Sequence, residues 1–281
     1  MAVLIDGKEL AKEIRRELKE KVKILKEKGV NPKLAVIMVG KDPGSAVYVK
    51  NKSKACEKVG IEFEEFLYDE GTSEKELLDV IDKLNNDDSI HGILLQSPVP
   101  KGIDINKAFR RISPMKDIDG FNPVNVGNLC IGEDTFVSCT PYGIIKMLEK
   151  YNIETEGKNA VILGRSNIVG KPMIQCMLNK NCTVTVCHSR TKNIENITQN
   201  ADILISAIGK PKFVKENMIK DGCVVIDVGI NRLEDGTICG DVDFENVKNK
   251  AAYITPVPGG VGPMTIAMLL SNLVKAAEKT I

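Results

Sequence analysis

The chain has 281 residues, enough for about two domains at roughly 150 residues each. Its 39 Lys and Arg nearly cancel 38 Asp and Glu, leaving a charge of +1, so no basic field for nucleic acid or an acidic membrane surface is implied. With 43% hydrophobic and 27% charged residues the composition excludes wholesale disorder; the longest apolar runs, residues 203–208 and 223–226, are far too short to span a membrane, and the N-terminus turns charged too soon for a signal peptide.

In chain order, residues 8–28 form a charged helix with Leu10, Ile14, Leu18 and Leu25 at helical spacing. Gly29 ends it and Asn31-Pro32 turns the chain. Residues 34–39 (LAVIMV) are a continuous apolar run, the signature of a strand covered on both faces. A helix over 45–59, a strand over 62–67, a helix over 73–84 and a strand over 90–95 follow. Residues 114–141 are rich in Gly and Pro and weakly periodic, which reads as the interdomain connection plus site loops.

After a helix over 143–151 a second alternation begins. Strands are expected at 159–163, 183–187, 202–206, 224–228 and 252–254, and helices at 169–178, 194–199, 215–219 and 264–279. Strands alternating with helices predict two α/β domains with parallel sheets, the C-terminal one a Rossmann-like dinucleotide-binding domain. The expected division is 1–138 and 139–263, followed by the closing helix.

The eight cysteines contain no C-x-x-C pair, and only His91 and His188 could complete a zinc site. They read as small buried hydrophobes in a reducing cytosol, with no metal. His91 begins a strand, at the edge opposite the expected ligand side, and reads as structural.

The segment NAVILGRSNIVGKPM carries the strongest physical signal. A buried strand stops at Gly164, a polar turn with Arg165 and Ser166 follows, and Gly170 opens a helix. Such a turn lets backbone N–H groups and a helix N-terminus approach phosphate. The glycines are six apart, so it is not G-x-G-x-x-G, and a merely tight connection also fits. The next strand ends about 24 residues after Gly164 at His188, Ser189 and Arg190. An NAD-type site places a carboxylate there for the ribose 2′-hydroxyl. Arg and Ser would instead accept a 2′-phosphate, so the sequence leans to NADP, although a solvated Arg beside a capping Ser also fits. Small-residue loops close the next two strands, at 206–211 and at 227–231 with Ile230. No acid or base stands in them at an evident proton-transfer position.

In the first domain Tyr48 and Lys52 are four apart, on one helix face. A ring beside an amine suits stacking of a planar substrate and proton transfer; a half-buried Tyr beside an ordinary surface Lys has the same spacing. A Tyr-x-x-x-Lys pair also occurs in short-chain dehydrogenases, but there it follows the cofactor motif, and here it precedes it by more than a hundred residues. Gln96 closes the strand in HGILLQSPVP, and Asp117 and Asp119 form a carboxylate pair in KDIDG, suited to the NH groups of a heterocycle or to an Asx-rich turn. The loop 256–263 (PVPGGVGP) suits close backbone approach to a ligand or a simple return linker.

Together, Tyr48-x-x-x-Lys52, HGILLQSPVP, KDIDGFNP, CTPYG, GRSNIVGKP, CHSRT and TPVPGGVGPMT resemble the methylenetetrahydrofolate dehydrogenase/methenyltetrahydrofolate cyclohydrolase family, the bacterial bifunctional FolD type. The resemblance keeps motif order over nearly the whole chain. It implies NADP-dependent oxidation of 5,10-methylenetetrahydrofolate to the methenyl compound, then hydrolysis to 10-formyltetrahydrofolate, in the cytoplasm. It implies Lys52 as the key cyclohydrolase residue, Tyr48 packed on the folate rings, Gln96 bonded to the lysine, and Asp119 on the pterin. Pro258, Gly259 and Gly260 would also bind substrate, and Gly164, Arg165, Ser166, Ser189, Arg190 and Ile230 the cofactor. A homodimer joined through the C-terminal domains is implied as well, as is a C-terminal helix, 264–281, that returns to complete the first domain. One departure is Ser97, where the family commonly has Leu. A dehydrogenase lacking the second activity would not need the Lys52, Gln96 and Asp119 set, and a nonenzymatic NADP-binding sensor would need none of it.

Overall fold

The computed structural model describes residues 1–281, except for the side chain of Pro43. The chain divides into two compact units. The first holds residues 13–137 and 266–281, the second residues 1–12 and 138–265.

In the first unit a parallel three-stranded sheet, ordered β3-β2-β4, is built from β2 (Lys33–Val39), β3 (Glu62–Tyr68) and β4 (Gly92–Leu95). Central β2 is the continuous apolar run, and its residues Leu34 to Ile37 are buried. Around it lie most of α1 (Gly7–Glu27), α2 (Pro43–Val59), α3 (Glu74–Asn85), α4 (Ile105–Arg111) and α5 (Pro123–Ile131). The core on one face joins Leu77, Ile81 and Leu84 of α3 to Ile37, Ile93 and Leu95. Residues 266–278 of α10 (Val261–Glu278) belong to this unit. Asn272 fixes them there, donating to the carbonyls of Ile118 at 2.8 Å and Val137 at 3.0 Å. Gly92 makes the packing feasible, since a Cβ would sit 2.6 Å from Leu273 Cδ1 and 2.7 Å from Ile118 Cγ2.

Helix starts follow local chemistry. Asp42 caps α2 by accepting from the Ser45 amide at 2.7 Å, with Pro43 in the first turn, and Gly60 ends it at φ 87°. Ser73 and Glu76 form a capping box on α3.

The second unit is a six-stranded parallel sheet, ordered β1-β11-β8-β7-β5-β6. Its strands are β1 (Val3–Leu4), β5 (Asn159–Leu163), β6 (Thr183–Cys187), β7 (Ile203–Ser206), β8 (Val224–Asp227) and β11 (Tyr253–Ile254). Helices α6 (Cys139–Lys150), α7 (Gly170–Leu178), α8 (Ile194–Thr198) and α9 (Phe244–Val247) accompany it. A small antiparallel pair, β9 (Asn231–Arg232) with β10 (Ile238–Cys239), projects between β8 and α9 in sequence. The doubly wound α/β architecture is that expected from the alternation of patterns.

Four local readings change. The loop read over 114–141 contains α5 and the start of α6. Asn122 caps α5 by accepting from the Val124 amide at 2.9 Å, and Pro123 and Gly132 bracket it. Helix α6 starts at Cys139, because Pro141 is tolerated in a first turn whose N–H groups need no helical acceptor. The helix expected over 215–219 is a 3-10 turn at Glu216–Met218. Residues 1–12 group with the second unit, since β1 pairs with β11 and the Asp6 amide donates to the Tyr151 hydroxyl at 2.7 Å.

Candidate active site

In the first unit the candidate residues lie at the C-terminal end of β4, on α2 and in the 117–120 turn. Tyr48 is 49% exposed on α2, so its ring is open to a stacking partner. One turn on, Lys52 Nζ donates to Gln96 Oε1 at 2.9 Å. Gln96 is buried and donates its own NH2 to the Ser97 carbonyl at 2.7 Å, which fixes its oxygen toward the lysine. Ser45, in the first turn of α2, also donates to the Ser97 carbonyl, at 3.2 Å. Helix and strand end are therefore tied at both Ser45 and Lys52. The Ser97 side chain is exposed, so this position uses its carbonyl for structure and leaves the Lys52–Gln96 pair undisturbed. One turn beyond Lys52, burial pushes the Cys56 thiol to about 12, which removes it as a rival nucleophile.

The KDIDG carboxylates separate. Asp117 is buried and accepts from the amides of Phe121 at 3.2 Å and Asn122 at 2.8 Å and from the Asn125 side chain at 2.8 Å. Burial raises its pKa against those hydrogen bonds, which pull it down. Asp119 is half-buried in the turn that Gly120 closes at φ 70°. That turn lies beside β4, because Ile93 N donates to Lys116 O at 2.8 Å and Ile93 bridges to Asp117. His91 stands at the other end of β4, with Nδ1 accepting from the Lys33 amide at 3.3 Å.

In the second unit β5 ends at Gly164, whose φ is 110°. A Cβ there would lie 2.4 Å from the Ala207 carbonyl oxygen, and one at Gly170 would lie 2.6 Å from Arg165 Cα. Both glycines are required by close backbone approach. Ser166 Oγ accepts from the amides of Val169 at 3.2 Å and Gly170 at 3.3 Å, at the start of α7. After β6 the turn 188–191 is closed twice, by His188 N on Thr191 Oγ1 at 2.9 Å and by Thr191 N on the His188 carbonyl at 2.8 Å. It leaves Ser189 and Arg190 exposed.

A cavity of about 270 Å³ is lined by Gly164, Arg165, Ser189, Ile208, Lys210 and Phe213, among others. Arg165, Ser189 and Lys210 give it an anion-seeking rim, and Ile208 and Phe213 an apolar wall. Lys210 was missed in the sequence; it stands only four residues past β7, at the strand-end position where α/β sheets bind ligands. Arg190 is absent from the cavity lining. Ile230 is 55% exposed after β8, and Gly259 and Gly260 pack against the start of α1. The Lys8 amide donates to Gly259 O at 2.9 Å, and a Cβ on Gly7 would lie 2.0 Å from Gly260 O.

Six cysteines are buried, Cys239 is half-buried and Cys130 exposed. Among the described residues no cluster of three or more His, Cys, Asp or Glu could hold a metal ion. No described helix is long and apolar enough to cross a membrane.

The fold and these sites define an α/β enzyme with a dinucleotide-binding unit. The catalytic-domain model of tetrahydrofolate dehydrogenase/cyclohydrolase matches residues 5–119, and the NAD(P)-binding-domain model matches residues 138–281. The chain belongs to the tetrahydrofolate dehydrogenase/cyclohydrolase family, and it carries both the catalytic and the NAD(P)-binding domain. It is 58% identical over 278 residues to the bifunctional protein FolD of Halalkalibacterium halodurans, covering 99% of each chain. It is 55% identical over 280 residues to that of Bacillus subtilis, covering 100% of this chain and 99% of the other. Among solved structures it is similar to the bifunctional FolD dehydrogenase/cyclohydrolase of Campylobacter jejuni, with a TM-score of 0.99 at 51% identity and full coverage of both chains. The FolD of Trypanosoma brucei, solved with NADP and an inhibitor, matches with a TM-score of 0.95 at 38% identity, covering 99% and 98%.

Proposed function

We propose that this chain oxidises 5,10-methylenetetrahydrofolate to 5,10-methenyltetrahydrofolate with NADP and then hydrolyses the product to 10-formyltetrahydrofolate. The observation that carries the reading is the Lys52 Nζ–Gln96 Oε1 hydrogen bond of 2.9 Å beside the open ring of Tyr48. Hydride loss needs no proton transfer and hydration does, so a held amine there supports the second activity beside the first.

The turn at Gly164 fits a dinucleotide: it excludes a Cβ, and Arg165, Ser189 and Lys210 rim the adjoining cavity. NADP, when bound, accepts the hydride. Arg165 and Ser189 hold the 2′-phosphate by charge and hydroxyl donation, while Ser166, Arg190 and Ile230 complete the cofactor contacts. The carbon that loses hydride lies between two nitrogens, whose lone pairs stabilise the cation. This step therefore asks for positioning rather than proton transfer. Tyr48 stacks the folate, and Asp119 accepts from its heterocyclic NH groups, with Pro258, Gly259 and Gly260 as further substrate contacts.

Hydration does move protons. Water adds to the methenyl carbon and its oxygen gives up both protons to become the formyl C=O; one C–N bond breaks, the departing nitrogen gains one proton, and the other is released to solvent. Lys52 Nζ mediates these transfers, held in place by Gln96. The enzyme works in the cytoplasm as a homodimer joined through its second units. Strand β6 ends the six-stranded sheet with one backbone edge open, which supports such a contact.

Incubation with methylenetetrahydrofolate and either NADP or NAD tests the reading. Formation of methenyl and then formyl product, faster with NADP, is expected. Accumulation of methenyl product alone, decaying at the uncatalysed rate, would reduce the chain to a dehydrogenase.

A further inference from the structure

Two buried carboxylates in the second unit take no part in the chemistry above. Asp241 is 0% exposed and Asp227 is 3% exposed. Asp241 Oδ2 accepts from the amides of Ile208 at 2.8 Å and Gly209 at 3.2 Å and from Ser206 Oγ at 3.2 Å. Its Oδ1 accepts from the Lys210 amide at 2.9 Å and from Asn231 Nδ2 at 3.0 Å. Three consecutive backbone N–H groups thus converge on one side chain just after β7. The end of a parallel strand leaves such donors without sheet partners, and unpaired burial of each would be costly.

The gripped loop lines the candidate cofactor cavity. Ala207, Ile208 and Lys210 face it together with Gly164, Arg165 and Ser189, whereas neither Asp227 nor Asp241 is part of its wall. The carboxylate also reaches Asn231, next to Ile230. Asp227 steadies the arrangement from behind, accepting from the amides of Gly229, Asp241 and Val242, each at 2.9 Å. Two glycines make room for the acids. A Cβ on Gly229 would lie 2.3 Å from Asp241 Oδ1, and one on Gly240 would lie 1.8 Å from Asp227 Oδ2.

We propose that Asp241 is a positioning residue for the cofactor, setting the 207–210 loop and Asn231 so that Ile208 and Lys210 meet the bound dinucleotide. This deepens the cofactor reading above and rests on it. An apolar side chain at 241 would leave the Ile208, Gly209 and Lys210 amides without this acceptor, so the carboxylate is what holds these groups in place. A carboxylate that takes four donors from residues 206–210 and a fifth from Asn231 fixes that loop's geometry, and sub-ångström placement of binding groups governs affinity.

The test is NADP titration by calorimetry, with steady-state kinetics, on wild type, Asp241→Asn and Ser206→Ala. Asn keeps the shape but turns an NH2 toward N–H donors; Ala removes one donor and leaves the carboxylate. For Asp241→Asn, NADP Kd and KM should rise about tenfold or more, with kcat at saturating NADP within about threefold and folate KM unchanged. For Ser206→Ala the rise should be about threefold. If Asp241→Asn melts lower yet binds NADP like wild type, the residue is only structural and the proposal is overturned. If Asp241→Asn does not fold, an unchanged Kd for Ser206→Ala overturns it equally. A wild type that binds neither NADP nor NAD sinks the cofactor reading itself, and the proposal with it.

Discussion

The two halves of the enzyme build their sites from different parts of the chain. The proposed folate site rests on a side-chain to side-chain bond, Lys52 Nζ to Gln96 Oε1, held by a second bond from Gln96 to the Ser97 carbonyl. The cofactor half relies on backbone: Gly164 and Gly170 pass where no Cβ fits, and a buried carboxylate ties the facing loop. The difference follows the chemistry. Hydride transfer asks for two molecules to be held in register, which backbone turns do well. Ring opening asks for a group that gives and takes protons, and that group must be a side chain with a defined neighbour. Both halves nevertheless share one device, a buried aspartate that accepts loop amides. Asp117 serves the turn bearing Asp119, and Asp241 serves the loop bearing Lys210.

The sharpest break of this comparison is Lys52→Met, which keeps side-chain length and removes the amine. Cyclohydrolase activity should fall by about 10²–10⁴, the usual worth of a placed acid or base. Dehydrogenase activity should survive at a reduced level, releasing methenyltetrahydrofolate. Stopped assays of each product separately check the split. A variant that hydrolyses the methenyl compound at the wild-type rate removes Lys52 from the mechanism.

Much of the folate half was legible because helical spacing alone puts Tyr48 and Lys52 on one face. Nothing in the spacing of KDIDG told which aspartate turns inward; that depends on Asn122 and Asn125, in a stretch read as loop. Helix α5 escaped notice because Gly127 interrupts its pattern, although Asn122-Pro123 and Gly132 mark its two ends. Strand β1 has two exposed residues and no periodicity to read. In the cofactor half the strand and Gly164 were legible as a local pattern. Asp241 was not, since its partners, Ser206 to Lys210 and Asn231, lie at least ten residues away in sequence.

A second break concerns the buried acids themselves. Burial raises the Asp227 carboxyl from the ordinary 3.8 to about 6; the Asp241 charge also raises it, while amides of Asp241, Val242 and Gly229 pull it back. Between those values the folded state keeps a proton that the unfolded chain has lost. Stability from this group is therefore greatest below the unfolded pKa and declines as pH rises through the folded one. At about 1.4 kcal/mol per pH unit, the decline totals about 3 kcal/mol. Calorimetric melting of the cofactor-free protein should show wild type losing that much relative to Asp227→Asn between about pH 4 and pH 7. A difference that stays flat over this range removes the strain assigned to the buried carboxylate.

Arg165→Ala addresses the exposed rim of the cofactor cavity. Loss of one charge-assisted phosphate contact costs about 1.5–3 kcal/mol, or ten- to a hundredfold in NADP affinity. NAD has no 2′-phosphate, so its weaker affinity should hardly change. Equal losses for both cofactors would mean that Arg165 shapes the turn and does not read the phosphate.

The smallest effect should come from Ser166→Ala, and it asks whether backbone or side chain holds phosphate in this half. In the turn, Ser166 Oγ accepts from the amides of Val169 and Gly170 at 3.2 and 3.3 Å, long contacts at the head of α7. A bound phosphate competes for the same donors, since helix N-termini carry partial positive charge and orphan N–H groups. Removing the hydroxyl frees those donors in the cofactor-free enzyme, where the two lost contacts should cost about 1 kcal/mol of stability. With NADP bound the phosphate takes over their satisfaction, so the penalty is largely recovered and affinity shifts by no more than about fivefold. Melting temperatures with and without NADP, together with Kd, check both parts. A loss in affinity as large as that of Arg165→Ala would show that the hydroxyl itself grips the phosphate, and the contrast between a backbone-built and a side-chain-built half would fail at its most direct point.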